Sequence, residues 1–184
     1  MMRWILVSLF FLLSTTIVGE RAVQDAAKAA PEGAEWLKQL EGEWTIESQS
    51  SDIPGQPAMK STGTDKTRML GSNWSISEIA GSMGETKFEA VMTLGFDAEK
   101  KKFVGTWVDS MQTHLWHYVG TLDKTGRILT LDCEGPSFED PKKTSKYRDT
   151  IEIKSKDHRT LSSSVETPDK GYTTFMTSNI RRKK

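Results

Sequence analysis

Five residues near the middle of the chain have the types and spacing of a binding wall. Read as strands, Lys102–Asp109 and Thr113–Asp123 send successive side chains to opposite faces. The first puts Phe103, Gly105, Trp107 and Asp109 on one face, and the second puts His114, Trp116, Tyr118 and Gly120 on one face. Aromatic rings interleaved with Asp, His and Gly suit a cavity that packs an apolar molecule and orients it with a few polar groups. Trp107, Asp109, His114, Trp116 and Tyr118 are therefore the candidate ligand-binding residues. Alternation alone leaves open whether this face points inward or outward.

Metal and catalytic chemistry find less support. His114 and His117 are three apart in one strand, so they point to opposite faces and cannot share a metal without a bulge. His158 falls in a turn, and neither H-x-H nor H-E-x-x-H occurs. No metal site and no cofactor are expected. Serine is abundant, but no G-x-S-x-G is present, and Gly81-Ser82-Met83-Gly84 lacks its spacing. No Gly-rich phosphate loop occurs. Asp109, Asp132, Glu134 and Asp149 are available carboxylates, but sequence places no two of them at the separation that glycoside chemistry needs. No catalytic residue is assigned, and binding is favoured over catalysis.

The elements that must position these residues are strands. From Glu43 onward, runs rich in Thr, Val, Ile and aromatics alternate with turn residues. Strands are expected near Glu43–Gln49, Gly63–Leu70, Trp74–Ala80, Lys87–Phe96 and Lys102–Asp109. Five more are expected near Thr113–Asp123, Arg127–Glu134, Ser145–Lys154, Thr160–Thr167 and Tyr172–Arg181. Most connections have hairpin length. Those at 50–62 and 135–144 are longer and carry prolines. Ten hairpin-linked strands form a meander, which closes into a barrel or folds into a sandwich. A sandwich core would need no polar residues on the face described above. Before the first strand, Pro31 to Leu40 reads as a short helix with Trp36, Leu37 and Leu40 on one face and Gly42 as its stop. The strand aromatics and methionines, Trp74, Phe88, Met92, Phe96, Phe103, Phe175 and Met176 among them, are mostly expected in the core.

Several of these residues also carry a family resemblance. They are Leu37-x-x-Leu40-x-Gly42-x-Trp44, Gly95-Phe96-Asp97 with its Lys-rich turn, and Phe103-x-Gly105-x-Trp107-x-Asp109-Ser110. Leu129-x-Leu131 before Gly135 and the closing Met176 to Lys183 continue the pattern. On these the chain resembles the calycins, the lipocalin and fatty-acid-binding-protein group. More closely it resembles the secreted calycin-like family known as domain of unknown function 1579, over about residues 35 to 183. The resemblance implies an all-β, antiparallel up-and-down barrel of about ten strands with one short N-terminal helix, and it assigns no activity. It supplies most of the expectation that a small apolar or amphipathic ligand is bound in the barrel. One alternative is a structural or interaction barrel with a filled core. Others are an enzyme using carboxylates or histidines at the barrel mouth, or a haem held by His114 or His117, as in some calycin-like barrels.

Closure of the meander has a residue-level consequence. The first strand then pairs with the last, so Trp44 is placed near Arg181 or Arg182. Tyr172, Met176 and Ile180 form the more apolar face of the last strand, and Arg182 continues it. Arg182 is thus expected inward, over the indole, where a guanidinium is attracted to the ring face. Lipocalins use a similar pairing. The alternative is that both arginines belong to a solvated basic tail, Arg181 to Lys184.

Composition bounds the rest. The chain has 184 residues, 25 basic and 25 acidic, for a formal net charge of zero. One domain is expected, and the charge balance argues against nucleic-acid binding through a basic surface. Met1 to Arg3, the apolar Ile5 to Leu13, and the polar residues that follow have the order of a secretory signal peptide. The expected organisation is a signal peptide at 1–19, a linker at 20–34 and the barrel domain at 35–184. The apolar run is short for a bilayer-spanning helix, so no stable membrane anchor is expected after cleavage. An uncleaved anchor is the alternative, and the expected location is secreted or periplasmic. The single cysteine, Cys133, excludes an internal disulfide and is expected buried in its strand.

Overall fold

A computed structural model describes residues 33–51 and 58–184. The expected signal peptide, all but the last two residues of the expected linker, and Pro54 and Pro57 of the first long connection lie outside the described residues.

Ten antiparallel strands follow one another in chain order: β1 (Gly42–Ser50), β2 (Lys60–Leu70), β3 (Trp74–Met83), β4 (Thr86–Asp97) and β5 (Lys102–Asp109). The second half is β6 (Trp116–Leu122), β7 (Ile128–Pro136), β8 (Thr144–Ser155), β9 (His158–Thr167) and β10 (Gly171–Arg182). Each pairs with the next, and β1 also pairs with β10, which closes the barrel and leaves no open edge. The ten expected strands and the barrel are thus present, and the sandwich is not. β6 starts later than alternation implies. Both Met111 N and Gln112 N donate to Asp109 Oδ1, at 2.8 and 3.1 Å, so the backbone after β5 is committed to a turn. His114 consequently lies in the connection, not in the strand.

Closure settles the direction of the faces. Phe103 and Tyr118 are buried and Trp107 and Trp116 are partly buried, while Val108, Leu115 and Val119 are exposed. The aromatic face of β5 and β6 therefore points inward. Leu129, Leu131 and Cys133 of β7 are buried, and so are Tyr147 and Ile151 of β8. Trp74 departs from the expected core position, being 40% exposed. Its β3 neighbours in the alternation are Ser75 and Ser77, which face inward and are buried. Its ring instead covers Gly95 across the β3–β4 pair on the outside.

The short helix, 33–38, closes one end. Its Trp36 and Leu37, with Leu40 just beyond, pack in one cluster with Leu94, Phe103, Leu129 and Leu131. Trp36 meets Phe103 edge-on at 5.3 Å between ring centroids. From there the chain turns sharply into β1 through Gly42, whose φ of 129° is disfavoured for a side-chain-bearing residue. A Cβ at Gly42 would also collide with the Arg182 guanidinium.

Candidate functional site

Inside the barrel, away from the helix plug, lies a lobe of about 430 Å3. Four of the five expected residues line it: Trp107, Asp109, Trp116 and Tyr118. His114 does not. It sits at the rim, edge-on to Trp116 at 4.8 Å, and a ring N–H donates to the Glu134 carbonyl at 3.1 Å. His117 is exposed on the outer face, and His158 opens β9 beside Asn179. A haem held by His117 inside the barrel is excluded by its outward direction.

The lobe is built by alternation and by two departures from it. Trp107 and Asp109 share a face two residues apart, and Trp107 Nε1 donates to Asp109 Oδ2 at 2.9 Å. Together with Met111 N, Gln112 N and Gln112 Nε2 this gives the Asp109 carboxylate four donors, so its role is to brace the β5–β6 connection. Trp116 lies flat over Gly135, where any Cβ would strike its ring. The first departure is a bulge in β10 between Thr174 and Met176. The extra residue lets consecutive Phe175 and Met176 both line the lobe, which strict alternation forbids. The second is the β7–β8 connection, which carries Phe138 back onto the mouth. There Phe138, Tyr147 and Phe175 meet edge-to-face, with centroids 5.1 to 6.3 Å apart.

At the lobe wall stands a second carboxylate. Asp149, on β8 between Tyr147 and Ile151, accepts a hydrogen bond from the Tyr118 hydroxyl at 2.7 Å. The Ser163 hydroxyl also bonds it. Burial pushes the Asp149 carboxyl above its ordinary value, against the pull of those two hydroxyls. Burial, with Asp149 beside it, pushes the Tyr118 hydroxyl well up. Cys133 is buried as expected, and burial pushes its thiol up to about 12, so it holds its proton and is a poor nucleophile at neutral pH.

A smaller lobe of about 200 Å3 adjoins the first, sharing Trp107, Asp109, Leu161 and Met176. It reaches toward the plugged end and ends on Asp65 and Arg159. There Trp44, fully buried, lies against two guanidinium groups. Arg182 is over one part of the ring system at 4.1 Å and Arg159 at 4.3 Å. Trp44 is the direct cross-strand partner of Arg182, and Arg181, paired with Thr45, points outward and is exposed. The arginines and the indole also satisfy the end of the helix segment. Trp44 Nε1 and Arg159 Nη1 donate to the Leu40 carbonyl at 2.9 and 3.0 Å, and Arg182 Nη1 donates to the Glu41 carbonyl at 2.8 Å.

Arg159, Asp65, Asp149 and Phe138 were outside the expected site. Two of them had a readable signal. Arg159 is in phase with Leu161 and Val165, and Asp149 with Tyr147 and Ile151, so each is a charge on the apolar face of its strand. Asp65 and Phe138 had none.

A closed ten-stranded antiparallel barrel, plugged by a helix at one end and hollow toward the other, defines the structural class. The chain belongs to a family of proteins of unknown function, DUF1579, whose model matches residues 31–182. In fold it is similar to the S-type phycobiliprotein lyase CPES from Guillardia theta, at 12% identity and a TM-score of 0.59, over 87% of this chain and 97% of that one. It is also similar to Rv2717c from M. tuberculosis, at 11% identity and a TM-score of 0.59, over 83% and 98%. Identities this low are a likeness of fold alone. No curated protein matches the chain.

Proposed function

We propose that this protein is a non-catalytic binder that holds a small apolar or amphipathic molecule in the larger lobe. The observation that carries the reading is the lobe itself. Its volume, about 430 Å3, lies in the range of small-molecule pockets. Rings of Trp107, Trp116, Phe138, Tyr147 and Phe175 line it, with polar groups of Asp109, Gln112, Asp149 and Ser163 among them. A barrel that served only as a scaffold would fill this space with side chains, as the plugged end does.

The test uses Nile red, a neutral dye that brightens in apolar surroundings. It should bind saturably and quench tryptophan fluorescence. Trp107→Ala should weaken binding by about 1–3 kcal/mol, the range for losing a large ring from a contact surface. Absence of saturable binding by any apolar probe overturns the reading in favour of a filled, structural barrel.

Export is the second part of the proposal, supported by the charged, apolar, polar order of Met1 to Glu20. Among the described residues no helix is long and apolar enough to cross a membrane. N-terminal sequencing of the protein from its native host should begin between Glu20 and Ala30. Recovery of intact Met1 from a soluble cytoplasmic fraction would contradict export.

A further inference from the structure

The charges in the barrel interior are not matched at the larger lobe. The described residues that line it include two carboxylates, Asp109 and Asp149, and no lysine, arginine or histidine. Asp109 is saturated by its four donors. Asp149 receives hydroxyls from Tyr118 and Ser163, about half of what a carboxylate's four acceptor positions can take. The cation of the smaller lobe is already committed. Arg159 Nη2 is paired to Asp65 Oδ2 at 2.5 Å, its Nη1 is on the Leu40 carbonyl, and its face is on Trp44. A carboxylate left among aromatic rings without a cation is costly, and a ligand cation would offset that cost.

We infer that the molecule held in the larger lobe carries a cationic nitrogen, such as a protonated amine, on an apolar body, with Asp149 as its counter-ion. The inference rests on the binding reading above. The Tyr118 and Ser163 hydroxyls hold the Asp149 carboxylate in place, and the rings of Trp107, Trp116 and Tyr147 pack on the ligand body. A ligand with its own carboxylate, such as a fatty acid, meets no free cation among the described lining residues and faces Asp149 instead.

The groups that face Asp149 are few. They are Tyr118 from β6, Cys133 from β7 and Ser163 from β9, with Asp109 of β5 on the same lobe and His114 outside it behind Trp116. Tyr118 and Cys133 keep their protons at neutral pH. Asp149 is therefore the group whose ionisation governs the pairing. Its carboxyl is raised, so acidification neutralises it earlier than an exposed aspartate and removes the counter-ion. Affinity for a cation should fall on acidification, as Asp149 takes up its proton.

The experiment compares three dansyl probes of similar size on the full chain: dansylcadaverine, which is cationic, dansyl-6-aminohexanoate, which is anionic, and neutral dansyl hexylamide. Dansylcadaverine should bind about ten- to a hundredfold tighter than either other probe, as expected for one hydrogen bond to a charged group. Its advantage over the neutral probe should shrink on acidification and vanish in Asp149→Asn. Equal affinities, or preference for the anion, overturn the inference and leave the binding reading intact. Retention of the cationic preference by Asp149→Asn also overturns it. Should none of the three bind, both readings fall. The comparison among probes on the native protein decides the matter even if the variant fails to fold.

Discussion

Asp65→Ala should destabilise the protein by about 3–5 kcal/mol, because it strands a buried guanidinium without its counter-ion. Both partners are 4% exposed, and Arg159 Nη2 lies 2.5 Å from Asp65 Oδ2. Thr67 Oγ1 donates to the other carboxylate oxygen at 2.9 Å and is itself bonded to Ser77, so the carboxylate sits in a fully engaged network. Burial pushes the Arg159 guanidinium down to about 10 against the attraction of Asp65, which still leaves it charged at neutral pH. Denaturant unfolding of Asp65→Ala measures the loss. The double variant Asp65→Leu with Arg159→Met should lose less than the single one, since no charge is then left in the interior. A loss below about 1 kcal/mol in Asp65→Ala would mean that water reaches Arg159 and that the pair is worth no more than an exposed one.

Trp44→Ala should cost about 3–5 kcal/mol, the range for removing a buried aromatic ring from a core. The residue is 1% exposed, its Nε1 donates to the Leu40 carbonyl, and its ring system contacts both Arg159 and Arg182. Removing it leaves both guanidinium groups facing a cavity where the ring was. Double-mutant cycles apportion the stacking. Trp44→Leu combined with Arg182→Met should show a coupling of about 0.5–2 kcal/mol.

 The same cycle of Trp44→Leu with Arg181→Met should be additive, because Arg181 is exposed and opposite Thr45. Additivity in the Arg182 cycle would show that the ring and the guanidinium are neighbours without energetic consequence. Arg159→Met with Trp44→Leu should couple at the upper end of that range, since Arg159 is the more deeply desolvated of the two cations.

Both predictions concern the plugged end, and the candidate ligand lobe lies beyond it. This division follows from the interior itself. Leucines and aromatic rings at the helix end leave no room, whereas serines and the Asp65–Arg159 pair separate that packed region from the hollow one. Losses of stability at Trp44 or Asp65 and losses of binding at Trp107 or Asp149 should therefore be separable by measuring unfolding and probe affinity on the same variants.

Strand positions, hairpin order and the pairing of Trp44 with Arg182 were legible in the sequence, because each follows from local alternation plus the single condition that the meander closes. The inward direction of the β5 and β6 aromatics was not, since alternation defines two faces and only closure says which one is enclosed. Trp74 shows the same limit from the other side. The inner positions of β2 and β3 beside it include the buried Asp65, Thr67, Ser75 and Ser77, so polarity there runs opposite to the usual rule and the tryptophan lies outside. The β10 bulge shifted the parity that Phe175 and Met176 would otherwise obey, and nothing local marks it. Charge pairing was the least legible of all. Asp65 and Arg159 are 94 residues apart, and Tyr118 and Asp149 are 31 apart. These polar groups meet only across the interior that ten strands enclose. The sequence by itself thus determined the repeating strand and the order of pairing, which are local or nearest-neighbour properties. Tertiary structure decided which side chains share the cavity and which carboxylate stands there without a cation, because those depend on distances across the closed barrel.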